Sequence, residues 1–194
     1  SIKRASLACA PHCRIVLLDG SYAGLLNTNL KLAETWVWTP HLATTALTST
    51  LSLDTKTIRG LNGAGRVTLD AGAATRCFDL GLSAKSIWTR VTLQNLTLRR
   101  GWSDLGGAIR VAGMPGYGKL VLERCLLNAN RATTSGGAIH VVGAGLTLVH
   151  CVLSGNEAPQ GGAISLLNLA PVGSVSYSFA SIHQSRLAYN AATG

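Results

Sequence analysis

The tetrapeptide Gly106-Gly-Ala-Ile109 occurs again as Gly136-Gly-Ala-Ile139 and as Gly161-Gly-Ala-Ile164. The segments that precede these copies also match one another without gaps; they cover residues 91–98, 120–127 and 146–153, and a weaker copy covers residues 180–187. Repetition at this spacing is the signature of a solenoid, in which a short unit buries its apolar face only by stacking on its neighbours. The repeat therefore determines the predicted fold.

The apolar residues of each segment alternate with a period of two, which is typical of β-strands. The alternation breaks once in each segment, and such a break marks a corner. We therefore predict an all-β fold, a right-handed single-stranded parallel β-helix with coils of about 25–30 residues. Equivalent side chains of neighbouring coils would lie about 4.8 Å apart, in columns along the axis.

The repeated positions form the predicted structural ladder. Its members in the tetrapeptides are Gly106, Gly107, Ile109, Gly136, Gly137, Ile139, Gly161, Gly162 and Ile164. Paired glycines allow the backbone to turn tightly into the next strand. Asn130, Asn156 and Asn190 recur at a further corner, where asparagine tolerates left-handed backbone and its amide can bond to copies above and below.

The repeats indicate a division of the chain into two parts. Residues 57–194 are predicted to form the β-helix repeats, which we expect to continue beyond the given sequence. Residues 1–56 are predicted to form an N-terminal cap and the first irregular coil or coils, because terminal repeats of solenoids are atypical.

Composition excludes several classes of function. Apolar residues make up 47% of the chain and charged residues 13%, which argues against disorder. The net charge of +9 comes from scattered basic residues without interleaved aromatics, so we do not expect nucleic-acid binding. No run approaches the roughly 18 apolar residues that a membrane span requires, so no membrane insertion is predicted for this segment.

The chain contains five cysteines, whose spacing allows more than one interpretation. Cys9 and Cys13 could form a small disulfide loop or half of a metal site. The disulfide is favoured because structural zinc needs four ligands and only His12 is close in sequence. Cys125 and Cys151 share a column and are interpreted as small buried hydrophobes, with a disulfide between coils as the secondary alternative. We predict neither a metal nor a cofactor, and the redox states of Cys77, Cys125 and Cys151 are left open.

A catalytic site would require groups gathered on an outward column. The eight acidic residues do not recur in any column, although hydrolysis of a glycosidic bond needs paired carboxylates. Glu123, Arg124 and His150 are the nearest candidates for catalysis, and adjacent polar residues on a solvated corner are the alternative interpretation. Asn95 begins the sequon Asn95-Leu-Thr97 and is a candidate glycosylation site with an outward side chain.

The repeats resemble the pectin-lyase-like superfamily of right-handed parallel β-helices. More narrowly, they are similar to the repeats of polymorphic outer-membrane-protein adhesins, which carry Gly-Gly-Ala-Ile followed by a Phe-x-x-Asn motif. In this sequence that second motif reads Leu127-Asn-Ala-Asn130 and Leu153-Ser-Gly-Asn156, with Leu in place of Phe. The resemblance covers residues 57–194, and it implies a location outside the cell.

The sequence thus favours a non-enzymatic, extracellular or cell-surface module with a structural, adhesive or filament and matrix role that could also bind glycans. The expected partners are other subunits or further β-helix coils, and extracellular glycans. The alternative function is a polysaccharide lyase on acidic glycans with a site on an outward column. A fold of this kind does not choose between these functions by itself.

Overall fold

The computed structural model describes residues 14–23, 30–31, 54–61, 66–81, 89–112, 118–168 and 178–194. Within these ranges all regular secondary structure is β-strand, and every strand pairing is parallel. The predicted all-β parallel solenoid is confirmed. The described residues include no helix long and apolar enough to cross a membrane.

The strands follow one another in six coils. The first coil contains β1 (Arg14–Leu17), β2 (Gly20–Ala23) and β3 (Leu30–Lys31). The second contains β4 (Asp54–Gly60), β5 (Val67–Asp70) and β6 (Phe78–Gly81). The third contains β7 (Thr89–Gln94), β8 (Thr97–Arg99), β9 (Trp102–Leu105) and β10 (Ile109–Ala112).

The later coils repeat this order. The fourth contains β11 (Gly118–Glu123), β12 (Leu126–Asn128), β13 (Arg131–Ser135) and β14 (Ile139–Val142). The fifth contains β15 (Ala144–Val149), β16 (Val152–Ser154), β17 (Glu157–Ala158) and β18 (Ile164–Leu167). The sixth contains β19 (Phe179–His183), β20 (Arg186–Ala188) and β21 (Ala191–Ala192).

Stacking of the coils produces four parallel sheets, which we number in the order in which a coil visits them. Sheet 1 has the order β1-β4-β7-β11-β15-β19, and sheet 2 has the order β2-β5-β8-β12-β16-β20. Sheet 3 contains β9, β13, β17 and β21, and sheet 4 has the order β3-β6-β10-β14-β18. The corners are named by the sheets that they join, so that corner 1–2 joins sheets 1 and 2.

Coil length varies more than the repeats suggest. One inward column of sheet 1 contains, in stacking order, Ile15, Ile58, Leu93, Leu122, Leu148 and Ile182. The predicted coil length fits the two coils that begin at Leu93 and Leu122, whereas the other coils are longer. Most of the variation lies at corner 4–1, where Gly143 alone separates β14 from β15 but the whole of 32–53 separates β3 from β4.

The core is one continuous aliphatic cluster inside the solenoid. Its most completely buried side chains include Leu69, Phe78, Leu93, Leu98, Ile109, Leu120, Leu122 and Leu127. Burying a side chain of this size contributes about 1.5–3 kcal/mol. Because side chains alternate along a β-strand, many residues between these core positions point outward and supply the surface chemistry, although Thr97, Val121 and His140 are buried as well.

Left-handed backbone forms three of the corners. In the third to sixth coils the residues with positive φ are Asn95, Arg124, His150 and Gln184 at corner 1–2, and Arg100, Ala129, Gly155 and Tyr189 at corner 2–3. At corner 3–4 they are the first glycines of the tetrapeptides, Gly106, Gly136 and Gly161. Corners 1–2 and 2–3 thus accept many residue types, whereas corner 3–4 contains glycine in all three copies.

Gly136 and Gly137 show why corner 3–4 needs two glycines. Gly136 has φ +66°, and a Cβ atom there would lie 2.3 Å from the carbonyl oxygen of Ile139. Gly137 has no positive φ, but its Cβ would lie 2.1 Å from the carbonyl oxygen of Gly162 in the next coil. The first glycine therefore permits the turn, and the second permits close stacking of the coils.

Asn130, Asn156 and Asn190 form a continuous amide ladder beside corner 2–3. Asn130 Nδ2 donates to Asn156 Oδ1 at 2.9 Å, and Asn156 Nδ2 donates to Asn190 Oδ1 at 2.8 Å. The backbone N–H groups of Asn130 and Asn156 donate to the same two oxygens at 3.1 Å. Since Asn130 and Asn156 are completely buried, the ladder satisfies polar groups that water cannot reach.

Part of the N-terminal region joins the same sheets. Strands β1, β2 and β3 pair in parallel register with β4, β5 and β6 of the second coil. The predicted boundary at residue 56 stays a prediction, because residues 1–13, 24–29 and 32–53 lie outside the described residues. The candidate disulfide of Cys9 and Cys13 lies outside them as well.

Candidate functional site

The candidate catalytic residues Glu123, Arg124 and His150 lie at corner 1–2 without converging. Glu123 ends β11 and accepts a hydrogen bond from Gln94 Nε2 at 2.6 Å. Arg124 and His150 are exposed, and Arg124 Nε donates to Asn95 Oδ1 at 3.1 Å. None of these three described side chains is hydrogen-bonded or ion-paired to another of the three. These residues are neighbours because corner 1–2 of the fourth coil stacks on corner 1–2 of the fifth coil.

Metal-assisted chemistry would require several metal-ligating side chains in one place. In the described part of the chain, no group of three or more His, Cys, Asp and Glu side chains is arranged to hold a metal ion. Calcium sites in proteins require six to eight oxygen ligands, several of them carboxylates. Glu123 therefore belongs to no such group among the described residues.

The sequon at Asn95 is part of the folded corner. Asn95 is half-buried, and its Nδ2 donates to the carbonyl oxygen of Gly60 at 3.3 Å. Leu96 and Thr97, the next two residues of the sequon, are buried. The nitrogen that would carry a glycan is thus engaged in a hydrogen bond between coils. Glycosylation at Asn95 stays a prediction.

An open groove lies at corner 2–3 of the described residues, and we call it the Trp102 groove. Its volume is about 430 Å³, and its lining residues are Ala73, Arg100, Gly101, Trp102, Ala129 and Arg131. Trp102 begins β9 and Arg131 begins β13, and the two are paired neighbours in sheet 3. The groove therefore combines an aromatic surface with two guanidinium groups on adjacent coils.

A buried carboxylate holds one wall of this groove. Asp70 is 3% exposed, and its oxygens accept hydrogen bonds from Arg100 Nε at 2.8 Å and from Arg100 Nη2 at 2.6 Å. Arg99 Nε at 2.9 Å and the backbone N–H of Gly72 at 3.0 Å complete its partners. Burial alone would raise the pKa of Asp70, but the bonds from Arg100, Gly72 and Arg99 hold that pKa below its usual value.

The charges around the groove leave an excess of positive charge. Arg99 and Arg100 share the single carboxylate of Asp70, and Arg131 pairs with Glu157 at 3.0 Å. Three guanidinium groups thus face two carboxylates, on a chain whose net charge is +9. The groove is electrostatically suited to an anionic ligand.

Sequence reasoning missed the Trp102 groove, although part of its signal was present. The repeat register already aligns Trp102 with Arg131 and Glu157 in one outward column. The contact of Arg100 with Asp70 could not be found in this way, because Asp70 belongs to the second coil, whose sequence matches the repeat poorly. Only the folded chain brings that carboxylate 2.6 Å from the guanidinium.

A second polar cluster lies at corner 3–4. Ser135 Oγ and His140 Nδ1 are 3.0 Å apart, and both residues are buried. Burial lowers the pKa of His140, as do the nearby charges of Arg110 and Arg76, while Asp104 opposes them. The pair lies close in space because the tight Gly136-Gly137 turn folds residue 140 back towards residue 135.

The Ser135–His140 pair resembles part of a hydrolase site in composition only. A nucleophilic serine needs an adjacent base and an accessible position for substrate. Ser135 and His140 are 4% and 3% exposed, respectively. The arrangement is therefore a satisfied polar pair within the corner, which keeps the imidazole neutral.

The described residues include three free, buried thiols. Cys77, Cys125 and Cys151 are unpaired and buried. Sγ of Cys125 lies 3.3 Å from the carbonyl oxygen of Leu93, and Sγ of Cys151 lies 3.4 Å from that of Leu122, so both thiols are placed to donate to the preceding coil. Burial raises the pKa of the Cys77 thiol to about 12, and it also raises the pKa of Cys125. These thiols act as core side chains.

The fold and the groove define a parallel β-solenoid with a basic, aromatic surface site at one corner. The chain matches no protein-family model, no curated protein and no solved structure.

Proposed function

We propose that this chain is a non-enzymatic, extracellular or cell-surface β-solenoid module with a structural, adhesive or matrix role. The supporting observation is that the positions which repeat are those that stack the coils, above all the buried Asn130, Asn156 and Asn190 ladder. The outward column that contains the candidate Glu123 instead changes type in every coil, from Gln94 to Glu123 to Val149. A shaft needs only the repeated positions, and the side chains of Glu123, Arg124 and His150 form no hydrogen bond or ion pair with one another.

The proposed relationship is with right-handed β-helices of the pectin-lyase-like superfamily, and more narrowly with adhesins that carry Gly-Gly-Ala-Ile repeats. The support for it is the repeat itself, in which Gly136 and Gly137 have separate structural roles. The location outside the cell is part of the same proposal. Labelling of intact cells with an antibody to the full protein tests this location, and labelling only after permeabilisation would contradict it.

The alternative function is a lyase on acidic glycans that uses Glu123, Arg124 and His150. Incubation of the chain with uronate polymers, with and without calcium, tests it by the absorbance of unsaturated product. We expect no product under either condition. Product formation that is lost in Glu123→Ala or Arg124→Ala, and retained in the control Tyr189→Ala, would overturn the non-enzymatic proposal.

The proposed protein partner is a further β-solenoid coil, from a longer chain or a second copy. Ile182 and Leu187 are 45% and 43% exposed, although their counterparts Leu148 and Leu153 are completely buried. Sedimentation of the chain at increasing concentration distinguishes a second copy from a longer chain. If the partner is a second copy, the chain associates as its concentration rises, and Ile182→Asp weakens that association. If the hydrogen exchange of residues 179–192 stays fast both in the associated chain and in a longer chain, the proposal is contradicted.

A further inference from the structure

Trp102 and Arg131 present two different recognition surfaces next to each other. They are paired residues of β9 and β13, so their backbones lie about 4.8 Å apart. Trp102 is 45% exposed and the Arg131 side chain is 62% exposed. An exposed indole offers a large, rigid and mainly apolar face, and a guanidinium offers planar, paired donors for carboxylate or sulfate oxygens.

Arg100 is held in place before any ligand arrives. Asp70 binds its Nε and Nη2 atoms, which leaves Nη1 without a hydrogen bond among the described residues. Because Asp70 is buried and also accepts bonds from Gly72 and Arg99, it fixes this guanidinium against the wall of the groove. An ordered side chain loses less conformational entropy when it binds a ligand.

Arg131 is oriented in a similar way from the opposite side. Its Nη2 atom lies 3.0 Å from Glu157 Oε1, on the next coil of sheet 3. An arginine has five N–H donors, so this contact leaves several for a ligand. The groove spans the second to fourth coils, from Ala73 to Arg131, which is a length of about 10 Å along the axis.

The ligand must therefore supply an apolar ring face for Trp102 and negative groups for Arg100 and Arg131. A pyranose ring has a flat C–H face, and an acidic sugar adds a carboxylate or a sulfate at its edge. We propose that the Trp102 groove binds a short anionic saccharide, with the ring on Trp102 and the acidic groups on the two arginines. This inference rests on the proposed adhesive or matrix function, because it identifies a class of ligand through which such a module would adhere.

Calorimetric titration of the full chain tests the site with four probes: an oligogalacturonate, a sulfated oligosaccharide, a neutral maltohexaose and an oligothymidylate. We expect one or both of the acidic saccharides to bind and the neutral one to bind at least tenfold more weakly. The two acidic probes separate a carboxylate ligand from a sulfate ligand. Tighter binding of the oligothymidylate, or equal binding of maltohexaose, would overturn the proposal.

The variants locate the site. Trp102→Ala and Arg131→Gln should each weaken binding of the acidic saccharide at least tenfold, and Asp70→Asn should weaken it by releasing Arg100. The matched controls are Tyr189→Ala and Arg186→Gln, which alter an exposed aromatic and arginine pair 6.0 Å apart at the last described coil. Circular dichroism and the unfolding midpoint show whether each variant is folded.

Wild-type affinity in folded Trp102→Ala and Arg131→Gln would refute the groove as the site. So would the absence of binding to both acidic probes. Either result leaves the non-enzymatic proposal intact, since that proposal fails only if unsaturated product appears in the uronate assay. The two proposals therefore fail by different measurements.

Discussion

The side-chain amide of Asn130 donates a hydrogen bond to Oδ1 of Asn156 at 2.9 Å, and both side chains are completely buried. The same oxygen accepts the backbone N–H of Asn130, and Nδ2 of Asn156 also donates to the carbonyl oxygen of Leu127 at 3.1 Å. One asparagine thus satisfies donors and acceptors on two coils. The ladder joins the stacked coils beside corner 2–3.

Asn156→Ala should destabilise the solenoid by about 2–5 kcal/mol, because each buried polar group left unsatisfied costs about 1–3 kcal/mol. Urea unfolding followed by circular dichroism measures the change. The matched control is Asn128→Ala in the neighbouring coil, whose Oδ1 is buried without a hydrogen-bond partner. We expect Asn128→Ala to change stability by less than about 1 kcal/mol. Equal losses in the two variants would contradict the role of the ladder.

Gly136→Ala should be far more harmful than Gly155→Ala, although both glycines have φ above +60°. A Cβ at Gly136 would meet the carbonyl oxygen of Ile139 at 2.3 Å, whereas at Gly155 the nearest atom is 3.9 Å away. Gly155→Ala carries only the left-handed strain of about 1–2 kcal/mol, and Ala129 already adopts that conformation at the same corner. Unfolding midpoints compare the two, and similar losses would count against the steric explanation.

Stability should fall in mild acid because of His140. Its pKa in the folded chain lies below the usual 6.5, mainly because the imidazole is buried. The unfolded chain therefore binds the proton first, and stability declines by up to about 1.4 kcal/mol per pH unit below about pH 6.5, until the pH reaches the lower folded pKa.

Unfolding free energies of the wild type and His140→Gln between pH 7.5 and 5 measure this contribution. In the variant, the free energy of unfolding should fall less between pH 7.5 and 5, because the contribution of His140 is absent. The difference between the two curves gives this contribution separately from those of other groups. Replacement of the exposed His150 by Gln is the matched control. A His140→Gln curve parallel to that of the wild type would exclude His140 as the source.

Cys77, Cys125 and Cys151 should not react with a thiol reagent in the native chain. All three are buried, and the raised pKa values of Cys77 and Cys125 leave little thiolate at pH 8. The hydrogen bond with Cys125 lowers the pKa of Cys151, so the protection of Cys151 comes from burial alone. All three residues should be labelled within minutes in concentrated urea. Peptide mass spectrometry assigns the labelled sites and keeps Cys9 and Cys13 separate. Fast native labelling of Cys125 would mean that the core opens readily.

Much of the fold could be predicted from the sequence because stacking imposes the same requirement on every coil. Leu93, Leu122 and Leu148 are identical in type and are paired in register. The longer coils were harder to predict, since the number of residues between the last strand of one coil and the first strand of the next differs from coil to coil. These segments at corner 4–1 range from the single residue Gly143 to the whole stretch 32–53, so no single period describes the chain.

The candidate site was less predictable for a related reason. Outward residues have no common partner, so their pattern does not repeat, and Glu123, Arg124 and His150 were chosen only because they are adjacent. The Trp102 groove instead depends on Asp70, which lies 30 residues before Arg100. Whether two such residues pair depends on the length and direction of their side chains. The periodicity of the sequence carries no information about either.

The sequence by itself determined that this protein is a parallel β-solenoid with an aliphatic core, glycine turns and an asparagine column, because these features recur wherever coils must stack. The tertiary structure alone decided which outward residues act together. It gave Glu123 and Arg124 separate hydrogen-bond partners, Gln94 and Asn95, and it placed Arg100, Trp102 and Arg131 around one groove. The physical reason is that stacking is a short-range constraint shared by all coils, whereas a surface site depends on individual side chains meeting across them.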